Sequence, residues 1–281
     1  MFAAACRSSP ALSDAVPASV RAKGEIRASF ALTGPRTGLA GLYESGGLRL
    51  LCPKVQSGCE AVLINTGGGI AGGDTVRLDV AATAGATVTL TTQAAELIYR
   101  AQDHAAEIDV ALSLASGCSL AWLPQETILF DGAHLRRRFS VDMTGDARLI
   151  ALETYVFGRL AMGETCLTGR LHDRWRVHRD GKLIFAEDLQ LRGSLTDMLD
   201  QPACGNGARA VAILLYVASD AETKLAQLRE RFEAKDCECG VSAWNSMLVA
   251  RLLSPSPELL RSSIIVLLGV LRDAPAPLVW Q

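Results

Sequence analysis

Carboxylates are the side chains of this sequence best placed to do chemistry. Asp74 closes a glycine-rich turn, and Glu126 and Asp131 share the stretch Gln125-Glu-Thr-Ile-Leu-Phe-Asp-Gly132. Glu153 stands in an apolar segment, and Glu187 is set among Leu, Ile, Phe and Ala. Two carboxylates facing across a cleft can hydrolyse a glycosidic bond, and the same oxygens can line a path for a hard or borderline cation. Acids at strand ends can also do no more than accept hydrogen bonds from turn N–H groups. His172 and His178 fall on one side of a strand but about 20 Å apart at roughly 3.3 Å per residue. That is too far to share a metal, so they read as part of a cationic stripe facing solvent or a partner. Cys237-x-Cys239 is the local thiol pair, but a closed zinc site needs about four ligands. The other cysteines are scattered without the spacing of a disulfide framework, which points to reduced thiols and a cytoplasmic location. No His-x-x-x-His pair, Walker A motif or nucleophile with an evident base is present.

The glycine-rich stretch runs Asn65-Thr-Gly-Gly-Gly-Ile-Ala-Gly-Gly-Asp74. Gly67, Gly69 and Gly72 satisfy the dinucleotide fingerprint, and the apolar run Ala61–Ile64 precedes them. A pyrophosphate-binding turn must open a helix, whose free N–H groups hold the anion. Here Val76, Leu78 and Val80 alternate with Thr75, Arg77 and Asp79, which is the period of a strand. The loop Gly67, Gly68, Gly69, Gly72 and Gly73 is therefore expected to be a tight crossing between strands, with nucleotide binding as the alternative.

The elements that would position these groups are mostly strands. Ile26, Ala28, Phe30 and Leu32 share one face. Ile108, Val110, Leu112 and Leu114 share another, as do Leu135, Phe139 and Val141. Leu171, Trp175 and Val177 form the buried face of a hairpin turned at Asp180-Gly181. Such half-apolar strands must stack as packed sheets or an irregular β-helical coil, for no fixed-length repeat is present. The expected class is mainly β, an irregular β-helix-like or stacked-sheet body over residues 24–200. A mobile tail over 1–23 precedes it, and a small α+β part over 201–281 follows. In that last part Ser219-x-x-Glu222 reads as a capping box ahead of Leu225, Leu228 and Phe232. Ser256 and Pro257 open a second helix carrying Leu260, Ile264, Leu267, Leu268 and Leu271 inward. The formal net charge of −2 gives no basic excess for general nucleic-acid binding, and no apolar run is long enough to span a bilayer as a helix.

Several motifs occur in a fixed order: the stretch 65–74; Leu90-Thr-Thr-Gln93 with Tyr99-Arg100; Trp122-Leu-Pro-Gln-Glu-Thr-Ile128 with Phe130-Asp-Gly132; and Gly158-Arg-x-x-x-Gly-Glu164. Together they resemble the UreD family, also called UreH, of urease accessory proteins, over roughly Gly24 to the C-terminus. The resemblance implies a protein that is not an enzyme. It implies a chaperone that docks on apo-urease, binds a UreF-type protein and through it a UreG-type GTPase, and carries nickel transiently along an internal route. Asp74, Glu153 and Glu187 fall where that family has acidic or polar residues along the route, and Glu96 falls where many relatives have a small hydroxyl residue. The chain departs from the family's Pro-Arg-x-Trp ending, having Pro277-Leu-Val-Trp280. The alternative from another class is a β-coil carbohydrate-active enzyme using two of the same acids, or a nucleotide enzyme at Gly67–Gly73.

Overall fold

The computed structural model describes residues 21–55, 58–83, 85–159, 162–231, 237–272 and 274–280. The tail expected over 1–23 lies almost wholly outside the described residues, as do Phe232 and Ala84. Ahead of the glycine turn run β1 (Lys23–Thr33), β2 (Arg36–Ser45), β3 (Leu48–Leu51) and β4 (Glu60–Asn65). After it come β5 (Thr75–Ala82), β6 (Thr87–Thr92), β7 (Glu96–Ile98), β8 (Ala106–Leu114), β9 (Ser119–Leu123) and β10 (Thr127–Leu129). The body ends with β11 (Ala133–Met143), β12 (Arg148–Phe157) and the hairpin β13 (Thr168–Arg179) and β14 (Lys182–Ser194). The C-terminal part contributes α1 (Leu195–Asp200), β15 (Ala210–Val217), α2 (Ala221–Arg231), β16 (Glu238–Trp244), β17 (Met247–Ser254) and α3 (Pro257–Leu271).

The chain passes back and forth between two sheets, so that β1, β5, β8, β11 and β13 lie parallel in one. In the other, β4, β6, β9 and β12 do the same. The result is a β-solenoid of about four turns. Val76, Ile108, Arg137 and Asp173 are successive lateral partners across its turns, and the intervals between them are unequal, which is why the sequence carries no fixed repeat. Antiparallel strands close the coil: β2 against β1 at one end and β14 against β13 at the other. The hairpin turn at Asp180-Gly181 has positive φ at both residues (51° and 74°), as the Asp-Gly signal requires.

Inward-facing side chains stack in rows along the coil. Leu78, Val110, Phe139 and Trp175 form one such row, with the Phe139 and Trp175 rings 4.6 Å apart. Burial of each large apolar side chain is worth about 2 kcal/mol. Leu32, expected with Ile26, Ala28 and Phe30, is instead 48% exposed. The parallel pairing of β1 with β5 ends at Phe30, so the strand outruns the layer that would cover Leu32.

At its centre the ten-stranded sheet is buried on both faces, while its edge strands β16 and β3 are partly exposed. Leu149, Ala151, Tyr155 and Phe157 of β12 face the solenoid interior. Ile150, Leu152 and Val156 face a second core made with Leu260, Ile264, Leu267 and Leu268 of α3. Two covered faces explain why β12 and β15 read as continuous apolar runs rather than alternating ones. Ser256 caps α3, its Oγ accepting from Leu259 N–H at 3.3 Å, with Pro257 at the first position. The capping box at Ser219 does not form: α2 starts at Ala221, and the Glu222 carboxylate accepts from Ser246 N–H at 3.0 Å. The short α1 was not anticipated, since six residues carry too little periodicity to be read. None of the helices in the described residues is long and apolar enough to cross a membrane.

Candidate functional site

Period two on β11 puts Arg137 inward between Leu135 and Phe139, and on β13 it puts Asp173 inward between Leu171 and Trp175. From the opposite sheet, Glu153 and Tyr155 of β12 point into the same space. All four are buried: Arg137 is 4% exposed, Glu153 0%, Asp173 2% and Tyr155 1%. Arg137 Nη2 and Trp122 Nε1 both donate to Glu153 Oε1, the latter at 2.6 Å. Trp175 Nε1 donates to Asp173 Oδ2 at 2.8 Å. Four atoms of the group have no aligned hydrogen-bond partner: Arg137 Nε, Glu153 Oε2, Asp173 Oδ1 and the Tyr155 hydroxyl.

Burial sets the protonation of this cluster. It pushes the Glu153 carboxyl upward, with Arg137 pulling back, and raises Asp173 against the same guanidinium. Burial works against the Arg137 charge as well, yet Glu153, then Tyr155 and Asp173, more than offset it. One guanidinium between two carboxylates leaves the group at one net negative charge when both are ionised. Buried polar atoms without partners are rare in folded proteins because each costs about 1–3 kcal/mol. Here the Tyr155 hydroxyl and Asp173 interact with each other, and Glu153 Oε2 is left to hold a proton, water or a passing cation.

Glu96 extends the row toward the glycine turn. Its carboxylate accepts from Asn65 Nδ2 at 3.0 Å, and Asn65 Oδ1 accepts from Gly67 N–H at 2.9 Å. Burial moves Glu96 up to about 7, opposed by Asn65, the Leu97 N–H and the charge of Arg137. The turn lies against β7 because Gly69 lacks a side chain: a Cβ there would stand 2.6 Å from the Tyr99 ring and 2.9 Å from Leu97 O. Ile70 and Leu97 are joined through N–H to O at 2.8 Å. The glycines thus make a strand crossing, and β5 continues extended where a dinucleotide site would have a helix.

The other two acids stand further along the coil. Asp74, at the head of β5, accepts from Ala22 N–H and Ala71 N–H with its two oxygens, each at 2.8 Å. Glu187 on β14 is in register with Trp175 and pairs with Arg251 of β17, tying the two sheets together near the solenoid end. Glu153 and Glu96 therefore both feel the charge of Arg137, whereas Asp74 and Glu187 are held by separate partners. Arg137, Asp173 and Tyr155 were missed in the sequence, although the alternation around Arg137 and Asp173 placed both inward.

Outside the coil, the remaining motifs converge near the turn. Tyr99 meets Phe130 edge-on at 5.2 Å, and the Arg159 guanidinium covers Phe130 at 4.4 Å. Asp131 bonds Arg100 at 2.9 Å and Thr168 N–H at 2.9 Å. Gln125 and Glu126 hold Arg261 at 2.6 and 2.8 Å, and Gln125 Nε2 donates to Val279 O at 2.7 Å. Trp280 is thereby docked, donating from Nε1 to Thr91 Oγ1 and Leu123 O, each at 3.2 Å, under the Arg261 guanidinium. His172 and His178 face outward beside Asp188 and Asp142. Burial raises the Cys237 and Cys239 thiols, the latter to about 11. Among the described residues no group of three or more His, Cys, Asp or Glu is gathered as a metal site would gather them.

Comparison with known proteins adds a lineage to this geometry. Residues 22–281 match the family model described as UreD urease accessory protein. A urease accessory protein UreD of Beijerinckia indica is 49% identical over 91% of this chain and 96% of its own length. The UreD of Xanthobacter autotrophicus is 44% identical over 99% of this chain and 98% of its own. That of Azorhizobium caulinodans is 44% identical over 94% and 98%.

Proposed function

The chain belongs to the UreD family of urease accessory proteins, non-catalytic chaperones of urease maturation, and from that premise we propose that its buried carboxylates pass nickel toward apo-urease. In this reading the chain works in the cytoplasm, in a complex with UreF-type and UreG-type partners, and holds nickel only in passage. The observation that carries it is the buried group of Glu153, Asp173 and Tyr155 inside the solenoid, in which Tyr155 interacts with Asp173 and Glu153 Oε2 has no hydrogen-bond partner, with Glu96 on the side of the glycine turn.

The physical logic is exchange without capture. A divalent ion entering the row meets carboxyl groups that burial has made willing to hold protons near neutrality, so it displaces protons rather than water alone. Oxygen ligands bind a borderline cation weakly compared with thiolate or imidazole. Arg137 beside Glu153 repels the ion electrostatically and opposes its retention. Asp74 and Glu187, with their separate partners at other levels of the coil, serve in this reading as stations before and after the buried cluster.

The test is nickel content of urease purified from cells expressing the urease subunits and the accessory proteins, with this chain as Glu153→Gln or Glu96→Gln. Both variants keep side-chain volume and an acceptor oxygen. The expected result is lower nickel per active site with the UreF-type and urease subunits still co-purifying. Full nickel loading in both variants would refute the route.

A further inference from the structure

The solvent face of the seven-stranded sheet carries lateral rows of charged side chains, and the rows at its two ends are built differently. Across β1, β5, β8 and β11 the lateral row Glu25, Arg77, Asp109, Arg138 alternates in sign, and Arg138 bonds Asp109 through two nitrogens at 2.6 and 2.7 Å. Across β11, β13 and β14 the alternation fails. His134, Arg170 and Arg192 are direct lateral neighbours, and Arg138 is followed by Arg174, with Asp188 beyond it on β14. The nearby carboxylates are engaged elsewhere: Glu107 pairs with Arg136, and Asp188 with His172 and Arg176. Among the described residues Arg170, Arg174 and Arg192 have no ion pair. All three are exposed.

Like charges directly opposite on neighbouring strands destabilise a sheet. The crowding registers on His134, whose pKa falls through burial and then through Arg170, Arg136 and Arg192. A row of cations at adjacent positions, on a face whose other half is neutralised strand by strand, is best satisfied by anions from outside. The spacing says which kind. Neighbouring strands stand roughly 4.8 Å apart and same-side residues recur roughly every 6.8 Å along them, which puts Arg170 and Arg174 two such steps apart; an extended chain repeats its own same-side residues at the same interval. The groove of about 610 Å³ on this face reaches Arg174 and Arg176 but is not lined by Arg170 or Arg192, so the cationic end is open ground, unlike an enclosed site for a small anion. The overall formal charge of −2 argues against a general nucleic-acid surface.

We propose that the outer face of β11, β13 and β14, around Arg170, Arg174 and Arg192, docks an extended acidic segment of a protein partner. This inference stands apart from nickel transfer and survives if that reading fails.

The test uses the full chain and a fluorescent decapeptide of alternating glutamate and glycine, followed by anisotropy at low ionic strength. Binding is expected, with the matching glutamine–glycine peptide silent and added salt weakening the complex. Arg170→Gln with Arg192→Gln should weaken it by about tenfold, the loss of roughly one charge-assisted contact. Arg174→Gln should act in the same direction, while Arg27→Gln, on the neutralised half, should leave it unchanged. Because the double change removes like-charge neighbours, its melting temperature should hold or rise, by about 1–2 °C. Undiminished peptide binding in the double variant would overturn the proposal. So would equal affinity for a short oligothymidine strand, or displacement of the peptide by millimolar inorganic phosphate.

Discussion

The buried ion pair of Arg137 and Glu153 makes a sharp prediction, because removing one partner and removing both should have opposite consequences. Glu153→Leu leaves a guanidinium that is 4% exposed with Asp173 and Tyr155 as its remaining partners, and also strips Trp122 Nε1 of its acceptor. Breaking a buried pair from one side costs about 3–5 kcal/mol, and an orphaned indole N–H adds about 1 kcal/mol. For a chain of this size that is a fall in melting temperature of roughly 10 °C. Combining Arg137→Met with Glu153→Leu removes both desolvated charges and should return stability to within about 2 kcal/mol of the parent. Urea titrations followed by tryptophan fluorescence, with unchanged m-values, measure this directly. All variants are compared at one pH, because Asp173, already pushed up by burial, takes a proton more readily once Arg137 is gone. A double variant no more stable than the single Glu153→Leu would refute the reasoning. If the stable double variant still loads urease with nickel normally, the pair serves the fold and not the route. Glu153→Ala alone would confuse the two, since it loses stability whatever the residue does for nickel.

Further predictions concern other parts of the same frame. Glu96 has a folded pKa of about 7 against 4.5, so its favourable contribution is complete below about pH 4.5 and is lost as pH rises through about 7. The fall is of order 3 kcal/mol, and Glu96→Gln should flatten the pH–stability curve in that window; parallel curves for parent and variant would contradict the burial argument. Trp280→Ala should cost about 3 kcal/mol and expose the C-terminal segment to carboxypeptidase, while an unchanged digestion rate would show that the indole does not anchor it. Gly69→Ala should cost about 2–3 kcal/mol through collision with Tyr99 and Leu97 O. Gly68→Ala, where φ is +73° and nothing lies within 4 Å, should cost only about 1 kcal/mol; thermal melts of the two variants in reversed order would undo the account of the turn.

Much of the fold was legible in the sequence because period two is a local property. Thr75–Val80 could be read as a strand from its own alternation, and that alone separated the glycine turn from a nucleotide site. Asp180-Gly181 and Ser256-Pro257 carried their turn and cap in the residue types themselves. The motif order from Asn65 to Glu164 carried the family, which the comparisons bear out across nearly the whole chain. Where several backbone N–H groups compete for one cap the local signal failed, and Glu222 went to Ser246 rather than to the expected box.

The candidate site was less legible. Arg137 and Asp173 are charged residues inside apolar strands, and alternation states that they point inward without stating what they meet. Their meeting depends on which coil lies above which, through lateral registers such as Arg137 with Asp173, and on β12 lying opposite them across the interior. The same is true of the outer face, where Arg170 opposes Arg192 only because of the hairpin register. The sequence alone determined strand, turn, helix cap and lineage, since each is written in neighbouring residues or in the order of motifs. Tertiary structure decided which charges are paired, which are buried and which are left over, because coils of unequal length bring together residues that no interval along the chain connects.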